Sequence, residues 1–118
     1  MIALILFSSV TAIATTNTVP DTRVSLDTLP LNLNDLKPSS CAGLFLTNLI
    51  TGSGTLTGTA GNDLILGSSS IDVIDGLGGD DCIVGGGGDD LLTGGDGNDI
   101  CLGGPGTDTF TTCEGESQ

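Results

Sequence analysis

An all-β fold built by repetition follows from three observations on this 118-residue sequence. Residues 58–111 have a period of nine and read GTAGNDLIL, GSSSIDVID, GLGGDDCIV, GGGGDDLLT, GGDGNDICL and GGPGTDTFT. Three columns persist through all six repeats: Gly at position one, Asp at position six and an apolar residue at position eight. The only aromatics are Phe7, Phe45 and Phe110, with no Trp or Tyr, so an ordinary packed globule is not expected.

Taken in order, the chain opens on MIALILFSSVTAIATT. Ile2 to Val10 is a short apolar stretch and Ala12-Ile13-Ala14 is a small-residue cleavage signature, so residues 1–14 are expected to be a secretory signal peptide cut after Ala14. A membrane-spanning helix needs about 20 apolar residues, and this stretch is shorter. No basic residue precedes it, which points to a start codon upstream and a signal truncated at its beginning. A buried helix or strand is the alternative reading. Residues 15–40 contain three of the four prolines and read as a linker, in which LPLNLNDLKP alternates weakly, as an extended segment lying against another surface would. From Cys41, CAGLFLTNLITGSGTLT is apolar and β-prone and leads straight into the repeats, so 41–57 is expected to be an N-terminal cap. Residues 112–118 form a C-terminal cap or tail.

Within each nonapeptide the last three residues suffice for a short strand, with the position-eight side chain pointing to one face. The six before it form a turn, where repeated Gly admits left-handed backbone and lets carbonyls converge.

Charge is lopsided: 15 acids stand against Arg23 and Lys37, for a net charge of −13. Ten of the acids and neither base fall within residues 58–111. This excludes a basic nucleic-acid footprint and argues against docking on anionic lipid. On composition alone such a block reads as a disordered, self-repelling tail; the columns argue for order. There is no His, so imidazole acid–base chemistry and His-ligated zinc are absent. No catalytic activity is expected. Collagen would need Gly at every third residue. An EF-hand needs flanking helices and a Glu at its twelfth position. A four-Cys zinc site needs close pairs, whereas the cysteines stand at 41, 82, 101 and 113.

The pattern Gly-Gly-x-Gly-x-Asp-x-apolar-x resembles the calcium-binding nonapeptide of RTX (repeats-in-toxin) proteins. The wider layout, LKPSSCAG before GTAGNDLILG and a DTFTTCE ending, is similar to small exported bacterial proteins of that family. GSSSIDVID departs most, with Ser69 and Ser70 at its third and fourth positions and Ile71 where Asp or Asn is usual. The resemblance implies a right-handed parallel β-roll, a solenoid in which repeat i stacks on repeat i+2. Asp63, Asp81 and Asp99 would then form one column and Asp72, Asp90 and Asp108 another. Calcium, a hard cation taking six to eight oxygens at about 2.3–2.6 Å, would be held by stacked position-six carboxylates and turn carbonyls. Six repeats give four i/i+2 pairs, hence up to four interior Ca2+ sites, the weakest at the serine-bearing repeat. Asp80 and Asp89 are expected to stabilise turns or stay solvated rather than bind the ion.

Four cysteines suit an oxidising compartment and allow three pairings. In the roll, Cys82 at position seven points outward and Cys101 at position eight points inward, which disfavours a bridge between them. The odd repeats present an apolar outer face (Leu64, Leu66, Cys82, Val84, Ile100, Leu102), and the even repeats a mixed one. A bare apolar stripe is a liability. The segment carrying Leu31, Leu33 and Leu36 is therefore expected to cross that face, pinned by Cys41–Cys82, while Cys101–Cys113 caps the far end. Free buried thiols are the alternative. Left bare, the apolar face would favour self-association.

The expected function is an exported calcium-binding repeat protein that folds on Ca2+ and serves as a non-catalytic structural or surface-interaction module. Its localisation would be extracellular or at the cell surface, reached by the general secretory route. Its partners would be calcium and either itself or cell-surface components. The alternatives are a calcium buffer or sensor, or a fragment of a longer RTX enzyme or toxin.

Overall fold

Each nonapeptide supplies one turn and one strand, and each strand pairs in parallel with the strand two repeats away. The computed structural model describes residues 32–118. The expected signal peptide 1–14, the linker up to residue 31 and Leu31 itself lie outside the described residues. Within them the strands are β1 (Asn48–Thr51), β2 (Thr55–Thr57), β3 (Asp63–Leu66), β4 (Val73–Asp75), β5 (Cys82–Val84), β6 (Leu91–Thr93), β7 (Ile100–Leu102), β8 (Thr109–Thr111) and β9 (Gly115–Ser117). They make a five-stranded sheet in the order β1-β3-β5-β7-β9 and a four-stranded sheet in the order β2-β4-β6-β8. These are the walls of a parallel β-solenoid with two strands per coil. The sequence periodicity reaches the repeat strands only; β1, β2 and β9 extend the same two sheets with non-repeat sequence.

Position eight fills the interior. Ile65, Ile74, Ile83, Leu92 and Cys101 are fully buried with Leu56 between the sheets, and Ile50, Phe110 and Cys113 pack against them. Three-residue strands alternate faces, so only this middle side chain can enter.

A second apolar cluster lies outside the solenoid. Cys41, Leu44 and Leu46 bury Leu64 and Cys82 of the five-stranded sheet, with Leu33, Leu66, Val84, Ile100 and Leu102 packed around them. The expected cover over the apolar face is therefore present, and that face is not free for self-association. Its composition differs from expectation: Leu33 takes part, Leu36 is 49% exposed, and Leu44 and Leu46 do most of the covering. Nor is the approach extended throughout. Leu33–Leu36 form a one-turn helix, α1, because Asn32 Oδ1 accepts the Asn34 N–H at 2.8 Å, and Pro38 forces Lys37 into extended backbone and ends it.

The cover has no strand partner, so side chains satisfy its backbone. Asn34 brackets Leu46, donating Nδ2–H to its carbonyl at 3.0 Å and accepting its N–H on Oδ1 at 2.9 Å. The Lys37 ammonium donates to Asn34 Oδ1 at 3.1 Å and to the Leu44 carbonyl. Disulfides join Cys41 to Cys82 and Cys101 to Cys113, the pairing that the register favours. Closing the 41-residue separation of the first bond is worth roughly 4 kcal/mol in the chain-entropy account.

One turn residue sits against its own chemistry. Leu77 has φ 76°, in the left-handed region occupied by Gly86, Gly95 and Gly104 at the same position of later repeats. A branched side chain there costs about 1 kcal/mol or more, and Leu77, 46% exposed, recovers little by burial. Leu77→Gly is expected to raise stability by about 1 kcal/mol, a gain of roughly 4–8 °C in Tm for a domain of this size. Thermal melts in saturating calcium check it; an unchanged or lower midpoint contradicts the strain account.

Candidate metal centre

The position-six aspartates stand between turn and strand, and their side chains turn inward beneath the turns. Asp63, Asp72, Asp81, Asp90 and Asp99 are buried, and Asp108, in the last repeat, is half-buried. They form the two expected columns, linked by a repeated contact. Asp81 Oδ1 accepts the Asp63 N–H and Asp99 Oδ1 that of Asp81, each at 2.8 Å. Asp90 Oδ1 accepts the Asp72 N–H and Asp108 Oδ1 that of Asp90, again at 2.8 Å. One oxygen of each lower carboxylate is thus spent on fixing the coil above.

The second oxygen divides the repeats into two kinds. In the first two, a hydroxyl residue at position two closes on it. Asp63 Oδ2 accepts the Thr59 N–H at 2.5 Å, while its Oδ1 takes the Thr59 hydroxyl at 2.9 Å and Asn48 Nδ2 at 2.7 Å. Asp72 Oδ2 accepts the N–H and hydroxyl of Ser68 at 2.6 and 2.9 Å, and its Oδ1 the Gly54 N–H. In the last four repeats position two lies in the left-handed region, at Leu77, Gly86, Gly95 and Gly104. That rotation turns the N–H elsewhere: Leu77 donates to Asp75 Oδ1 at 3.1 Å, Gly86 to the Gly103 carbonyl at 2.9 Å and Gly95 to Thr112 Oγ1 at 2.8 Å. Asp81, Asp90, Asp99 and Asp108 are each left with a buried Oδ2 that has no hydrogen-bond partner.

Position one explains what faces these oxygens. Its Gly is required for space and not for a left-handed conformation. A Cβ on Gly85 would lie 3.0 Å from the Gly103 carbonyl oxygen and against Asp90 Oδ2; one on Gly76 would meet the Gly94 carbonyl and Asp81 Oδ2 in the same way. An unpartnered carboxylate oxygen and a carbonyl oxygen from the coil below therefore border one small space, kept open by the missing side chain. Among the described residues no three Asp, Glu, Cys or His side chains converge as a metal-binding group. Any cation here must draw heavily on carbonyls, a hard all-oxygen donor set that suits calcium.

Electrostatics point the same way. Burial pushes the Asp81 carboxyl up to about 7; the Asp63 N–H opposes this, and the carboxylates of Asp99, Asp63 and Asp80 add to it. Burial likewise raises Asp90 and Asp99, helped by neighbouring acids. Burial also works to raise Asp72, but the hydrogen bonds from Ser68 and Gly54 outweigh it and hold that carboxyl below its ordinary value.

Residues 57–92 and 79–110 match the family model for the RTX calcium-binding nonapeptide repeat, in four copies. Residues 57–110 are RTX calcium-binding repeats. No curated protein and no solved structure matches the chain. In these RTX repeats the fifth position is a second, separate ladder: Asn62 Oδ1 accepts the Asp80 N–H at 2.9 Å, Asp80 Oδ1 the Asn98 N–H at 3.0 Å, and Asp89 Oδ1 the Thr107 N–H at 2.9 Å. Asp80 and Asp89 thus stabilise turns, as expected from sequence. Ile71 interrupts the ladder and is 65% exposed.

Sequence reasoning missed Thr59, Ser68 and Asn48 as partners of the acids. The signal was present as a hydroxyl residue four positions before the Asp, in the first two RTX repeats alone. It also missed Glu114, whose Oε2 accepts the Asp99 N–H at 2.8 Å.

Asp81 gives the pH dependence its direction. Its raised folded value means that the calcium-free roll, between about pH 4 and pH 7, holds a proton the unfolded chain has lost. That contribution to stability is full below the unfolded value and disappears as pH rises through about 7. In chelator, circular dichroism should show more β structure at about pH 5 than at about pH 8, and Asp81→Asn should narrow the difference by stabilising the alkaline form. With excess calcium the pH trend should reverse, because protons compete for the same oxygens. Equal β content at both pH values in chelator contradicts this electrostatic picture.

Proposed function

We propose that the chain is an exported protein that folds around calcium and serves as a non-catalytic structural or surface-interaction module. The observation that carries the reading is the set of buried, unpartnered Oδ2 atoms on Asp81, Asp90, Asp99 and Asp108, one in each of the last four repeats. Each Oδ2 would contribute to an ion's shell, completed by turn carbonyls where a further coil supplies them, for up to four Ca2+. Asp63 and Asp72, already saturated by Thr59, Ser68, Asn48 and Gly54, would serve as metal-independent supports. Bound calcium supplies compensating positive charge at the columns, and the chain's own residues aim the oxygens and exclude water.

Export is supported by the two disulfides, which persist in oxidising compartments, and by the apolar N-terminal stretch with its Ala-Ile-Ala signature. A non-catalytic role is supported by composition: the chain has no His, and the carboxylates of its repeats are committed to turns and columns. Among the described residues no helix is long and apolar enough to cross a membrane.

Calorimetric calcium titration with parallel circular dichroism and light scattering tests the proposal. At about pH 8 the chain should be largely disordered in chelator and gain β structure at millimolar calcium. Asp81→Asn and Asp90→Asn should each weaken binding by roughly tenfold or more, since ligand charge sets calcium affinity. Asp75→Asn, at position nine, should change it little, because Asp75 only accepts the Leu77 N–H. A fully ordered, chelator-resistant fold that takes up no calcium refutes the proposal.

A further inference from the structure

The odd column of carboxylates does not stop where the repeats stop. After β8 the chain makes a short turn, Thr112 to Glu114, and enters β9, which pairs with β7 as Ile100↔Gly115. The coil above pairs Cys82 with Ile100, so this last coil is three residues shorter than a repeat coil. Glu114 nevertheless takes the place of a position-six Asp, because Gly115 pairs with Ile100 as Ile100 pairs with Cys82, and Glu114 precedes its strand as Asp99 does. Its Oε2 accepts the Asp99 N–H at 2.8 Å, the same contact and distance by which Asp99 holds Asp81.

The turn also supplies the carbonyl. Gly94 faces the Thr112 carbonyl oxygen and Asp99 Oδ2 as Gly76 faces the Gly94 carbonyl and Asp81 Oδ2. Thr112 presents that carbonyl from an unusual backbone, φ 49°, stabilised by its Oγ1 accepting the Gly95 N–H at 2.8 Å. The adjacent Cys113 is bonded to Cys101 and ties the turn to β7. Asp99 Oδ2, fully buried and without a partner, points into the space so formed. The even column has no equivalent among the described residues: β8 is the last strand of its sheet, and the atoms nearest a Cβ on Gly103 all belong to Asp108.

We propose that the non-repeat tail completes a calcium site: the Asp99 carboxylate, the Thr112 carbonyl and the Glu114 carboxylate hold one ion at the C-terminal end of the odd column. Its position is fixed by the Cys101–Cys113 bond. The proposal rests on the calcium-binding reading above and extends it to residues outside the RTX repeats. One end of the roll is then closed by a full site, while Asp108 ends the other column with an incomplete one.

The test is a calcium titration of the full chain followed by 15N NMR, reading the amides of Asp99 and Gly95 against those of Asp63 and Asp72. Glu114→Gln keeps an oxygen that can accept the Asp99 N–H and removes only the charge. It should move the Asp99 and Gly95 transitions to at least roughly tenfold higher calcium and leave Asp63 and Asp72 within about twofold. Glu116→Gln, the same charge removed two residues on, should leave all four within about twofold. The proposal is overturned if Glu114→Gln titrates like the wild type at Asp99. It is equally overturned if that variant loses its β spectrum in saturating calcium, since Glu114 would then act as a clamp for the fold. A wild-type chain that shows no calcium response at any amide would instead refute the underlying calcium-binding proposal.

Discussion

Stacking carboxylates in a dry interior is the constraint on which this structure turns. Parallel coils repeat at strand spacing, about 4.8 Å, so ionised neighbours in a column repel by about 3 kcal/mol each at an effective dielectric constant of about 20. A domain of this size has only a few such quantities of net stability in total. The columns can therefore persist only if something neutralises them. The structure provides for three means: hydrogen-bond donors at the first two aspartates, protons at raised-pKa carboxyls such as Asp81, and cations at the oxygens that no donor reaches. The glycine content follows from the third. Position one must stay bare so that a carbonyl and a carboxylate can border the same gap, and position two must rotate its N–H away from that gap.

This gives the solenoid a polarity along its axis. The first coils are closed by Thr59, Ser68 and Asn48 and lie next to the segment fastened by Cys41–Cys82. The last four repeats are the ones whose acids lack donors. Side-chain donors to the columns are concentrated at one end and unpartnered carboxylate oxygens at the other, with one disulfide on the central strand β5 and Cys101–Cys113 holding the final turn in place.

Much of this was legible in the residues. The period of nine located the repeat strands, position eight identified the interior from Ile65 to Phe110, and the inside–outside difference between Cys82 and Cys101 led to both disulfides. The Asp columns followed from stacking every second repeat, an arrangement implied by the family resemblance. What escaped was not periodic. Leu44 and Leu46, and not Leu36, form most of the cover because Asn32 starts a helical turn that rotates Leu36 outward. Thr59 and Ser68 look like ordinary departures from a Gly column, and only the backbone shows their N–H groups turned onto Asp63 and Asp72. Glu114 lies off the nine-residue register, since the last coil is three residues short. The pairing of β9 with β7 restores its place beneath Asp99, which column counting does not detect.

The last strand has a consequence for the edges of the sheets. A β-solenoid ends in open hydrogen-bonding edges, and head-to-tail stacking of identical ends produces filaments without a closing point. β9 places Gly115, Glu116 and Ser117 at one such edge, with Glu116 exposed on a chain that is already strongly acidic. A second molecule adding a strand there would bring its own negative charge against this carboxylate. The wide five-stranded wall thus ends in a short, charged, covalently anchored strand, which discourages polymerisation at that edge.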